Sequence, residues 1–127
     1  MHKSFLLVAT LLGALSVILG AFGAHALKKV VPEDALAIFE TAVRYQFYHL
    51  FALALAGILY QSYPNPFIRW AGICFIIGIA LFCGSLYVLT YAKAIQSSSF
   101  RWAGPVTPLG GLFFIAGWIL LAIGIMK

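Results

Sequence analysis

Four stretches of this chain lack formal charge for long enough to cross a lipid bilayer, and that feature constrains the fold more than any other. Ser4 to Leu27 is uncharged apart from His25; Tyr45 to Ile68, Trp70 to Ala92 and Trp102 to Met126 carry no formal charge. A hydrocarbon core about 30 Å thick needs roughly 20 apolar residues at about 1.5 Å rise each. The helical part of the second stretch is expected to stop near Tyr63, because Pro64-Asn65-Pro66 follows and proline ends a helix. Transmembrane helices are therefore predicted at about residues 5–27, 36–63, 70–92 and 107–126.

Composition removes the alternatives. Hydrophobic residues make up 64% of the chain and charged residues 9%, against about 45–50% and about 25% in soluble domains. With eight basic and three acidic side chains a globule of this size cannot be solvated, and the mean hydropathy of +1.05 makes the lipid bilayer its main partner. Disorder, a disulfide scaffold, a coiled coil and nucleic-acid binding are excluded. The net charge of +5 is scattered over Lys3, Lys28, Lys29, Arg44, Arg69, Lys93, Arg101 and Lys127, so there is no basic patch to hold nucleic acid or clamp anionic lipid. These residues sit near the ends of the apolar runs, where anchoring side chains belong.

The connections are too short to hold a folded domain, so the expected fold is all-α. It is a polytopic membrane protein formed by one up-down bundle of four transmembrane helices, 1–127, with both termini on one face. Pro32 is placed to open the second helix, with Glu33 and Asp34 in its first turn, where the helix dipole favours acids. Lys3 and Ala24-His25-Ala26 imitate a signal peptide. The first apolar run exceeds the 7–15 residues of a signal core, however, and is expected to remain a span. Lys3, Arg69 and Lys127 on one side against Lys28, Lys29, Arg44, Lys93 and Arg101 on the other leave the orientation open. Tyr60, Tyr63, Trp70, Tyr87, Tyr91 and Trp102 fall near predicted membrane edges, as an aromatic belt requires.

Small residues mark expected packing seams, because helices in lipid associate by close approach. The first span offers Ser16, Gly20 and Ala24, with Gly13 and Gly23 nearby; the third offers Ala71, Gly78 and Ser85; the fourth offers Gly110, Gly117 and Gly124. A seven-residue spacing keeps a seam facing its neighbour. Thr107 is expected to cap the fourth helix, with Pro108 at its first position.

Ionisable groups at membrane depth are the default place to look for function. Here they gather at one end: His25 closing the first span, then Glu40, Arg44, Tyr45, Tyr48 and His49 entering the second. Glu40 and Arg44 are four apart with the acid first, the favourable order for an ion pair. Tyr45 and His49 form a second such stripe, about 140° round the helix. Three roles remain open: a structural interface cap, a site for a lipid headgroup, quinone-like molecule or ion, and a proton relay through His25, Glu40 and His49. A metal is not expected, since no HxxxH, CxxC or HExxH spacing occurs. Cys74 and Cys83 are nine apart on one helix, on opposite faces, and cannot pair; they read as small buried thiols. There is no strand followed by a glycine-rich loop and no serine set with a base and acid, so no cofactor and no enzymatic activity is expected.

Four segments resemble a known family: Gly20-Ala-Phe-Gly-Ala-His-Ala-Leu27, Phe39-Glu-Thr-Ala-Val-Arg-Tyr-Gln-Phe-Tyr-His49, Leu81-Phe-Cys-Gly-Ser-Leu-Tyr87 and Gly104-Pro-Val-Thr-Pro-Leu-Gly-Gly111. In this order they resemble the YgdD/YwdK-like small membrane proteins, a domain-of-unknown-function family, over nearly the whole chain. The matching residues are Gly20, Gly23, His25, Glu40, Tyr45, His49, Gly84, Ser85, Pro105, Thr107, Pro108 and Gly111. The resemblance implies a four-helix multi-pass protein of the bacterial cytoplasmic membrane, with relatives in mitochondria, and brings no activity, substrate or cofactor with it.

Three functional readings survive. The first is a non-enzymatic packing or accessory component, forming a homo-oligomer or joining a larger membrane complex. The second is a binder of a lipid or small amphipathic molecule at the Glu40/Arg44/His49 end. The third is a subunit of a small-solute or proton transporter. An open cavity at that end favours the second, a packed site the first.

Overall fold

The computed structural model describes residues 1–127, and its architecture follows from how each apolar run begins and ends. Helix α1 spans Lys3–His25. Its start is pinned: His2 Nδ1 accepts from the Phe5 amide at 3.3 Å, and the His2 amide donates to the Gly57 carbonyl at the far end of the second helix at 2.9 Å. A single tight turn over Leu27–Lys29 leads to α2, Glu33–Leu59, with Pro32 before it and Glu33 and Asp34 in its first turn. Helix α3 runs Pro66–Ala94, and α4 runs Ala103–Met126. All four are long and apolar enough to cross a membrane, and their alternating directions put both termini at one end.

Three boundaries differ by four residues from the sequence expectation. Helix α2 stops at Leu59, and Tyr60 to Tyr63 form a turn. Helix α3 begins at Pro66, because Asn65 caps it: its Oδ1 accepts from the Phe67 and Ile68 amides at 3.0 and 3.2 Å. Its Nδ2 donates to the Gly124 carbonyl at 3.0 Å, tying this turn to the end of α4. Helix α4 begins at Ala103, so Thr107 and Pro108 lie inside it and Thr107 is not its cap. Pro105 falls within the first turn, whose amides have no intrahelical partner to lose. Within α3, Ile79–Cys83 form one wide π-type turn.

Helix α2 is the most enclosed span and α1 the most exposed to lipid. The tightest seam joins α3 to α4. Gly110, Gly117 and Gly124 are buried and face Phe82, Phe75 and Ile68, residues spaced by seven on the opposite helix. A methyl group at Gly117 would come within 2.6 Å of the Phe75 ring, and one at Gly110 would strike the backbone of Phe82. Gly78 receives the Phe114 ring in return, and Ser85 Oγ meets Thr107 Oγ1 at 2.5 Å. The small residues of α1 behave differently from the expected single seam. Gly23 packs on Phe39, and Ser16 is fully buried. Gly13 has nothing within 4 Å of a would-be side chain, Gly20 meets only Val43 at 3.8 Å, and Ala24 is exposed. These three open outward. Of the thiols, Cys83 is buried but Cys74 only half-buried.

Candidate functional site

The polar residues entering α2 divide between two faces of that helix. Nine residues at about 100° each carry His49 half a turn away from Glu40, and the structure follows this arithmetic. His49 is buried in the bundle, whereas Glu40 and Arg44 are exposed on the outside. His25 is exposed at the end of α1 and reaches neither of them by a hydrogen bond or ion pair. The residues expected to act as one group are therefore two separate sites, and the ligating side chains do not gather as a metal set.

On the inner face His49 is held on every side. Its Nδ1 lies 2.8 Å from the Tyr45 carbonyl; that oxygen only accepts, so Nδ1 carries the proton. Its Nε2 then accepts from Trp118 Nε1 at 3.2 Å. The ring stacks on Phe114 with centroids 3.5 Å apart and planes 7° from parallel. Tyr45 packs against Phe82 at 4.8 Å and Tyr48 at 5.6 Å, and Tyr48 itself is exposed. With both ring nitrogens engaged and both neighbours in place, this arrangement locks α2 to α4.

One turn away lies a polar chain that crosses three helices. Gln46 is 2% exposed. Its Nε2 donates to Ser16 Oγ at 2.7 Å, and its Oε1 accepts from Tyr87 Oη at 2.7 Å. Ser16 Oγ in turn donates to the Leu12 carbonyl at 2.7 Å. Tyr87 thus points inward and does not join the aromatic belt. No buried side-chain nitrogen or oxygen lacks a partner, as a bilayer interior demands. Gln46 and Trp118 had no place among the residues singled out from sequence, being uncharged. The available signal was an amide at mid-span, which must find partners in lipid.

The outer face is open. Gly20, Gly23 and Ala24 of α1 and Phe39, Glu40, Val43 and Arg44 of α2 line a recess of about 180 Å³. Toward the loop it shares Ala24 and Glu40 with a more polar hollow of about 400 Å³ that includes Lys28 and Glu33. Deeper along the same two helices lies an almost wholly apolar groove of about 330 Å³, where Gly13 and Val17 face Phe47 and Phe51. The steps 13, 17, 20, 24 on α1 and 40, 44, 47, 51 on α2 each follow one helix face, so the three hollows form one track. Although Glu40 and Arg44 stand one turn apart, they do not pair; the ion pair at this end is Lys93 to Asp34 at 2.9 Å, on the exposed surface. Surface pairs of that kind contribute little.

The family described as "Protein of unknown function (DUF423)" matches residues 19–111. The UPF0382 membrane protein of Haemophilus influenzae is 39% identical over 100% of this chain and 97% of its own length. The UPF0382 membrane protein YwdK of Bacillus subtilis is 34% identical, covering 98% of each chain. The UPF0382 inner membrane protein YgdD of Escherichia coli is 34% identical over 100% of this chain and 93% of its own. No solved structure matches the chain.

Proposed function

Given that the chain belongs to the DUF423 family of multi-pass bacterial cytoplasmic-membrane proteins, we propose that it is a non-enzymatic accessory component that holds an amphipathic membrane molecule in the recess between α1 and α2. One observation carries the reading: an open hollow at the membrane edge whose two charged walls, Glu40 and Arg44, are left without partners. Inside the bundle, by contrast, the buried polar groups are used up on one another. His49 spends both nitrogens on Tyr45 and Trp118, and Gln46 spends its amide on Ser16 and Tyr87. A packed His49 supports a structural part for that residue, so the binding end is narrower than the sequence suggested and rests on Glu40 and Arg44.

Gly20→Leu tests the reading. The position has room, with Val43 the nearest neighbour at 3.8 Å, so a leucine fills the recess without disturbing the bundle. Native mass spectrometry of the protein taken into mild detergent should show a bound amphipath that Gly20→Leu removes while the melting temperature stays the same. Adducts retained equally by both proteins would count against it.

A further inference from the structure

Resting on the reading of the recess as a holding site, we infer that its occupant is a zwitterionic phospholipid with a primary ammonium, of the phosphatidylethanolamine kind. Depth gives the first argument. Helix α2 has 27 residues and so measures about 40 Å, roughly 10 Å more than the hydrocarbon core. With Leu59 at one boundary, the other falls near Glu40, and Arg44 lies about one turn, 5–6 Å, inside it. An arginine there extends its guanidinium toward the headgroups and takes an anion. A phosphate accepts the bidentate fork of arginine, and no acid of this chain does so.

Charge gives the second argument. The rim of the track carries Lys28 and Arg44 against Glu33 and Glu40. A purely anionic headgroup satisfies Arg44 but sets its own charge beside Glu40, one turn above. A headgroup with a phosphate and an ammonium joined by a short linker answers both: phosphate to Arg44, ammonium to Glu40. The two side chains leave the helix about 5–6 Å apart, a gap an ethanolamine linker bridges. Below them the apolar groove past Gly13, Val17, Phe47 and Phe51 continues in the direction of an acyl chain. At about 330 Å³ it has room for about ten water-sized groups, a run of methylenes. A helix about 10 Å across does not enter it, which sets a second copy of this chain aside.

The test loads the detergent-purified protein with dioleoyl phosphatidylethanolamine or dioleoyl phosphatidylglycerol and compares retained adducts by native mass spectrometry. Wild type should favour phosphatidylethanolamine by about tenfold, the effect of one charge-assisted hydrogen bond. Glu40→Gln should bring the two lipids level, and Arg44→Gln should weaken both. Both substitutions are of exposed residues that form no ion pair within the chain, so the fold survives them. Equal retention of the two lipids by wild type overturns the inference and leaves the holding site standing. No retained lipid of either kind overturns the holding site itself. A dimer mass lost in Glu40→Gln assigns the recess to a second copy and also overturns the inference.

Discussion

Gln46 illustrates how single residues act in this protein. Replacing it with leucine removes two hydrogen bonds, but the consequences for the partners differ. Ser16 keeps its bond to the Leu12 carbonyl, whereas Tyr87 is left with a hydroxyl facing an apolar neighbour. An unsatisfied buried group costs about 1–3 kcal/mol. Gln46→Leu should therefore lower the melting temperature in detergent, and adding Tyr87→Phe should recover part of the loss. A double variant less stable than Gln46→Leu alone would rule this chain of bonds out as a stabilising unit. The converse holds for Glu40 and Arg44. Because they do not pair, Glu40→Ala alone and Glu40→Ala/Arg44→Ala together should melt within about 0.5 kcal/mol of wild type, as surface substitutions do. A single variant much worse than the double would mean that the two form a buried pair after all. The sequence placed these residues at the correct end but grouped them by chain proximity. Their division between faces needed the helix angle carried over nine residues, from Glu40 to His49, and not only over four.

Helices are legible in this sequence to the extent that charge and proline mark their ends. The runs between charges locate the four spans, yet two of the predicted starts, 70 and 107, fall four residues late. Arg69 is a boundary only if a charge cannot sit in a first turn, and Asn65 shows that it can, by capping the helix from four residues earlier. The same holds for Thr107 and Pro108, which read as a cap and first position but lie inside α4. Glycine spacing was the better guide where both partners share a period: Gly110, Gly117 and Gly124 face Phe82, Phe75 and Ile68. It failed on α1, where of the stripe Ser16, Gly20 and Ala24 only Ser16 is fully buried, Ala24 is exposed, and the nearby Gly13 meets nothing within 4 Å. Two alanine substitutions separate these cases. At Gly110 the new methyl meets the Phe82 backbone, which cannot turn aside, so Gly110→Ala should cost about 1–3 kcal/mol. Gly13→Ala meets nothing within 4 Å and should leave the melting temperature unchanged or raise it, since alanine favours the helix over glycine. Equal losses from the two substitutions would sink the α3–α4 seam.

At the scale of the whole molecule, four alternating spans force the termini to one side, whichever side that is. The loops carry an uneven share of positive charge. Lys28, Lys29, Lys93 and Arg101, with Arg44 near the same end, oppose Lys3, Arg69 and Lys127. Positive residues in short loops stay in the cytoplasm, and acids count for little in this rule, so Asp34 beside Lys93 does not cancel it. The excess is narrow, which makes it sensitive. Reporter fusions at Met1 and Lys127 should give the same side for the native chain. Lys28→Gln with Lys29→Gln evens the balance, and the reporters should then divide between the two sides in equal proportion at both ends. If the two ends divide unequally, single molecules would have their termini on opposite sides. One of the four helices would then fail to cross, and α1, with its exposed outer face and its packing confined to α2 and the Phe5 contact with Gly72 of α3, is the helix least held in the bundle.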